Sequence, residues 1–255
     1  MKSSLIPTFH ADHRSGSLDL TERWRLSVAL LLAGVARKAR SRSRPQTRVR
    51  SDLLNPALWN AIEAPQGRLA NRAWELARGQ QPAWLLNHGL RTHAWAQAFG
   101  VIAGLAPDRE ALFAAAMLHD AGLTPAAPTP ANHCFAVRGA RYAASSLKEV
   151  AAPATLNLVA EAIARHLDLQ VDPGDGAEAH LLQAGAMADV LGHRVQQLPL
   201  ALRTHVLTVH PRLQMKEELC RCMTKEITLA PHTRVDCYVR RIDFLSLIRQ
   251  APFEE

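Results

Sequence analysis

Apolar residues recur along this chain at spacings of three and four, and no segment sustains the two-residue alternation of a half-buried strand. Thr21 is placed to cap a first helix running towards Ala39, after which Pro45 and its arginine-rich surroundings read as a linker. Pro82 suits the first turn of a helix to about Ile102, with Leu85, His88, Thr92, Trp95 and Phe99 at helical spacing. Asp108 starts another that reaches His119 and Asp120 and stops at Gly122. Further helices are predicted around Ala136 to Lys148, from Pro153 through Leu156, Val159, Ile163 and His166, and from about Glu178 to Leu191 with Gly192 as its stop. Asp172, Pro173 and Gly174 mark the turn before the last of these. Two or three more complete the chain, the final one carrying Val235, Tyr238, Val239, Ile242 and Leu245. The pattern predicts an all-α protein whose body spans residues 52–255, preceded by an N-terminal helix and basic linker at 1–51.

Composition supports helices over sheets. Of 255 residues 48% are hydrophobic but only 5% aromatic, and the dominant alanine and leucine lose little rotamer freedom in a helix. The formal net charge is +7, which taken alone suggests a polyanionic partner. Its distribution says otherwise. Arg37, Lys38, Arg40, Arg42, Arg44, Arg48 and Arg50 fall within residues 37–50 without one acidic residue, and they equal the whole excess. There is thus no strong case for nucleic-acid binding by the body, while residues 37–50 are either a solvated linker or a contact for an anionic surface. Cys134, Cys220, Cys222 and Cys237 form no CxxC pair, so a reducing, cytoplasmic setting is the simpler expectation. The apolar run from Leu26 to Ala36 is too short to span a bilayer. The apolar helical surfaces make a homodimer a reasonable expectation.

Candidate chemistry gathers on three helices. A lone histidine on an apolar stripe, such as His88, is more often a core residue than a ligand. His119 carries more weight because Asp120 adjoins it at the end of the apolar run from Leu112 to Leu118, where both side chains can turn to one ion. Imidazole nitrogen and carboxylate oxygen together suit a divalent metal. Asp189 lies on the face of Leu182 and Ala186, where a carboxylate is rarely buried unless paired or ligated.

The order of these residues resembles the HD-domain metal-dependent hydrolases, and within them the branch that includes cyanamide hydratase. The resemblance rests on NHGLRTH (Asn87 to His93), MLHDAGL (Met117 to Leu123), FAVRGA (Phe135 to Ala140), AIARH (Ala162 to His166) and GAMADVLG (Gly185 to Gly192). PHT at Pro231 to Thr233 and APF at Ala251 to Phe253 extend it, so that it covers roughly residues 52 to 253. Two positions depart from the pattern: Gly89 stands where a small hydroxyl side chain is expected, and Val137 and Arg138 where the branch is more acidic. The resemblance implies the HD-domain helical bundle, with His88, His119, Asp120 and Asp189 as metal ligands. Zn2+ is the first expectation, with Fe2+, Mn2+ or Ni2+ as alternatives. Such an ion acidifies bound water and so provides a nucleophile near neutral pH. Asp120 is then a candidate to move a proton as well as bind metal, His166 a further catalytic candidate, and Arg91 a group to position an anion. His133 and His166 could support a second ion. The implied activity is hydration or hydrolysis of a small nitrogen-containing electrophile, with a small-molecule substrate. The same residues also suit an HD-type phosphohydrolase acting on a nucleotide or small phosphate ester, or a non-catalytic metal-bearing regulatory protein.

Overall fold

The computed structural model describes residues 15–41, 56–127 and 132–255. Twelve α-helices occur among them: α1 (Leu20–Ser41), α2 (Pro56–Ile62), α3 (Arg68–Gln80), α4 (Ala83–Ala103), α5 (Arg109–Leu118), α6 (Phe135–Leu147), α7 (Pro153–Arg165), α8 (Ala177–Leu191), α9 (Leu200–Val209), α10 (Met215–Leu229), α11 (Arg234–Ile242) and α12 (Phe244–Arg249). The described residues contain no strand, only one isolated bridge between Ser17 and Thr233. The all-α expectation therefore holds, and the helices form a bundle.

Helix α4 lies at its centre. Every residue from Arg91 to Gly100 is buried, as expected of a helix apolar on all sides. It packs against α8, α5 and α2. Its approach to α8 is close because of Gly185: a β-carbon there would stand 2.4 Å from the Thr92 carbonyl oxygen. The main core draws on α3, α4, α5, α7 and α8, including Trp95, Phe99, Leu112, Ile163 and Leu182. A second apolar cluster joins α1 to α10, α11 and α12 through Leu18, Leu26, Leu30, Met215, Leu219, Val235 and Phe244. The N-terminal helix thus packs against the body through this shared cluster. The anticipated boundary at residues 51 and 52 lies outside the described residues, as does the part of the basic run from Arg42 to Arg50.

Local signals in the sequence account for most helix ends. Asp108 accepts a hydrogen bond from the Ala111 amide at the start of α5 (3.0 Å). Pro153 occupies the first turn of α7, and Gly192 ends α8 in the left-handed region (φ 70°). Thr21 is not the first cap. Asp19 accepts from the Glu22 amide (2.8 Å) while Glu22 accepts from the Asp19 amide (2.9 Å), a reciprocal capping box that starts α1 two residues earlier, at Leu20. Four helices rather than two or three follow Gly192, because the chain breaks at His210–Gln214 and again at Asp243, where φ is positive (50°).

Candidate metal centre

Helix α5 ends at Leu118, and the two residues beyond it point at one place. His119 keeps helical dihedrals (−61°, −32°), whereas Asp120 has left the helix (−102°, 9°). That change of path between neighbours lets both side chains face the N-terminal part of α4. Gly89 on α4 permits the approach, since a β-carbon there would lie 3.0 Å from the Ala116 carbonyl oxygen, the atom to which His119 Nδ1 is bonded (2.8 Å). The hydroxyl-bearing residue expected at this position would crowd that bond.

Three groups share the focus: His88, His119 and Asp120, all buried. His88 Nε2 lies 3.0 Å from His119 Nε2, and Asp120 Oδ2 is 3.5 Å from the first and 3.4 Å from the second. His166, at the end of α7, brings its Nε2 to 3.5 Å from the other carboxylate oxygen of Asp120, with its ring 5.0 Å from that of His119.

Whether this set fits a cation is decided by where the ring protons are. His119 Nδ1 faces the Ala116 carbonyl, His166 Nδ1 faces the Ile163 carbonyl at 2.6 Å, and His88 Nδ1 faces Asp189 Oδ2 at 2.7 Å. Each of those partners is an acceptor, so each Nδ1 carries the donated proton and each Nε2 presents a lone pair. With the rings neutral, the His88 and His119 lone pairs and the Asp120 carboxylate converge with no shared proton to separate them, and the His166 lone pair faces the other Asp120 oxygen. A cation resolves this repulsion, and a ligating histidine typically donates its other N–H in this way. The spacings agree: donors about 2.1 Å from a tetrahedral ion stand about 3.4 Å apart.

Asp189 does not join this focus. Its carboxylate touches the far side of His88, where it accepts from Nδ1, and it also accepts from Arg91 Nε (2.8 Å), Arg91 Nη2 (2.9 Å) and Trp95 Nε1 (3.0 Å). Arg212 Nη1 reaches the Asp189 carbonyl at 3.1 Å. Arg91 is likewise occupied. Besides the two bonds to Asp189 it donates to the carbonyls of His210 (2.9 Å) and Pro211 (3.1 Å) and to Met215 Sδ (3.0 Å). All five N–H groups of the guanidinium are used within the protein, leaving none to position an anion. His133 stands apart from the cluster, half-buried, with its ring against Arg141 (2.7 Å). Trp95 backs Asp189, and Trp84 belongs to the second apolar cluster.

Burial and neighbouring charge set the protonation states. Burial opposes ionisation of Asp120, but the His119, His88 and His166 rings outweigh it and hold the carboxyl well below the usual carboxylate range. Asp189 is held low in the same sense, with Arg91 and then His88 outweighing burial. Burial lowers His119, and it lowers His166 to about 3 with His119 adding to the effect. His88 is the exception: burial lowers its pKa, yet Asp120 and Asp189 on either side raise it above 6.5. A focus without a cation therefore draws its proton onto His88. Metal loading is expected to displace the proton held on His88, with affinity rising as pH increases through its raised pKa and levelling above it. Calorimetry in buffers of different ionisation enthalpy measures this; loading without proton release near pH 6.5 would show that His88 is already neutral.

Further contributors come from α6 and α10, and the sequence assigned none of them to the site. Arg138 donates to Glu226 (2.8 Å) and to the Gly122 carbonyl (2.8 Å), pinning the turn after Asp120 to α10. Cys222, also on α10, has its thiol pushed up to about 11 by burial, with the charge of Asp120 next in effect. Cys222 and Glu226 lie about a hundred residues from the HD pair, and only packing brings them near. No family model matches the chain, and no curated protein matches it either. On its own geometry the chain is an all-helical protein with a buried His-His-Asp cluster suited to a metal ion.

Proposed function

We propose that the chain is an HD-type, metal-dependent hydratase or hydrolase that adds water to a small neutral nitrogen-containing electrophile of the cyanamide kind. Its ion is held by His88, His119 and Asp120, with His166 next in reach and Asp189 orienting His88. The observation that carries this reading is the convergence of His88 Nε2, His119 Nε2 and Asp120 Oδ2 within 3.0–3.5 Å of one another. A bound divalent ion supplies Lewis acidity and a lowered pKa for water.

The surrounding residues then do the rest. Asp120, kept ionised, can accept a proton from the attacking water at whichever oxygen the ion leaves free. His166, kept neutral, offers a lone pair to orient that water and does not compete as an acid. The new bond joins the water oxygen to the nitrile-like carbon as one C–N π bond breaks and a water proton passes to that nitrogen, giving an isourea from cyanamide; transfer of the remaining hydroxyl proton to the same nitrogen yields urea. A neutral substrate is favoured over a phosphate ester because phosphoryl oxygens need positive groups around them. Arg91 and Arg138, the arginines bound to this site's scaffold, are already committed to Asp189 and Glu226.

The test compares the metal-loaded protein against cyanamide, simple nitriles, nucleoside phosphates and cyclic nucleotides, with Asp120→Ala as the matched control. Urea formation that requires both metal and Asp120 is the expected result. Metal-dependent phosphate release without activity on the nitrogen compounds would overturn the proposal.

A further inference from the structure

Helix α1 presents two apolar sides. Leu26 and Leu30 are buried against the body, together with Leu18 ahead of the helix. Leu20, Trp24, Leu31 and Leu32 are 76%, 66%, 63% and 62% exposed. At 100° per residue, Leu20, Trp24 and Leu31 fall within about 40° of one another, centred about 120° round the helix from Leu26 and Leu30, and Leu32 lies about 100° beyond them on the other side. A helix that needed only to cover the body would place polar residues there.

Charge indicates what meets this side. Helix α1 contains one acidic residue, Glu22, which is used in the capping box, against Arg23, Arg25, Arg37, Lys38 and Arg40. Along the sequence the positive run continues through Arg50 with no acidic residue from 37 onward. Exposed leucine and tryptophan beside clustered cations is the composition of a helix that lies in the headgroup region of an anionic bilayer. The described residues contain no helix long and apolar enough to cross a membrane. A second copy of the chain fits less well. Four side chains exposing on the order of 100 Å² each fall short of the roughly 800 Å² per partner of a stable interface. A polyphosphate backbone would leave the leucines and Trp24 unused.

We infer that the outer face of α1 is a docking surface for anionic phospholipid, with Trp24, Leu31 and Leu32 entering the headgroup region and the basic residues that follow holding the surface charge. This inference is independent of the activity proposed above.

Flotation of the full chain with vesicles of phosphatidylcholine alone, or mixed with phosphatidylserine, tests it. Binding is expected only to the mixed vesicles and should fall at high salt. Trp24→Ser combined with Leu31→Ser should weaken binding by at least about tenfold, since each removes a membrane-inserting apolar side chain. Arg37→Gln, Lys38→Gln and Arg40→Gln should each cost roughly fivefold. Thermal unfolding of each variant should match the parent, because Trp24 and Leu31 are exposed. Failure of the parent to float with either vesicle, or flotation unaffected by the Trp24 and Leu31 changes, would overturn the inference. So would a dimer in light scattering that the same two substitutions dissolve, which would assign the face to self-association.

Discussion

His119→Ala and Asp120→Ala are each expected to weaken divalent-metal binding by more than about 100-fold, whereas Asp189→Asn should cost only the roughly 10–100-fold typical of a partner that acts through a ligand. The difference follows from position. His119 Nε2 and Asp120 Oδ2 face His88 Nε2 directly, while Asp189 grips His88 from the opposite ring nitrogen. Removing either of the first two deletes a donor; changing Asp189 loosens the orientation and tautomer of one that remains. Competition with a chromogenic chelator reads all three losses on one scale. Should Asp189→Asn lose as much as His119→Ala, Asp189 would be a ligand in its own right, as the resemblance to the HD pattern implies. Turnover should follow metal occupancy in the His119 and Asp120 variants.

Arg91→Leu is expected to lower stability by about 3–5 kcal/mol, the range for breaking a buried pair and leaving one charge behind. Arg91 and Asp189 are both fully buried, at 0% exposure. Without the guanidinium, Asp189 keeps its carboxylate among apolar neighbours with only His88, Trp95 and the more distant Arg212 (3.6 Å) for compensation. The His210 carbonyl also loses its donor and the Pro211 carbonyl keeps only Asn87 Nδ2 (2.8 Å), which loosens the segment between α9 and α10. Urea denaturation measures the loss, and Arg91→Leu with Asp189→Leu should recover part of it because the stranded charge is gone. An Arg91→Leu protein as stable as the parent but inactive would instead make Arg91 a group that touches substrate.

Much of this architecture is written in local sequence, because its causes are local. Helical spacing, Asp108 as a cap, Pro153 in a first turn and Gly192 as a stop depend on residues within one or two turns of one another. The reciprocal cap between Asp19 and Glu22 was also local, and Thr21 drew the expectation two residues late only because both residues suit a cap. The His-Asp pair was legible as chemistry for the same reason: two polar side chains at the end of the buried stretch Ala111–Leu118 need a partner.

What the sequence could not express is direction between elements. His166 and Asp189 each read as a polar residue on an apolar stripe, with nothing to distinguish them. The crossing of α7, α8 and α4 turns His166 towards Asp120 and Asp189 towards the back of His88. The same crossing encloses Arg91, which one turn of helix places beside His88 but which packing commits to Asp189. Sequence spacing determined which residues could share a helix face; the close contact of α4 and α8 at Gly185 determined which nitrogen of His88 each carboxylate would meet, because side-chain roles in a buried polar network depend on distances of a few tenths of an ångström that only tertiary packing sets.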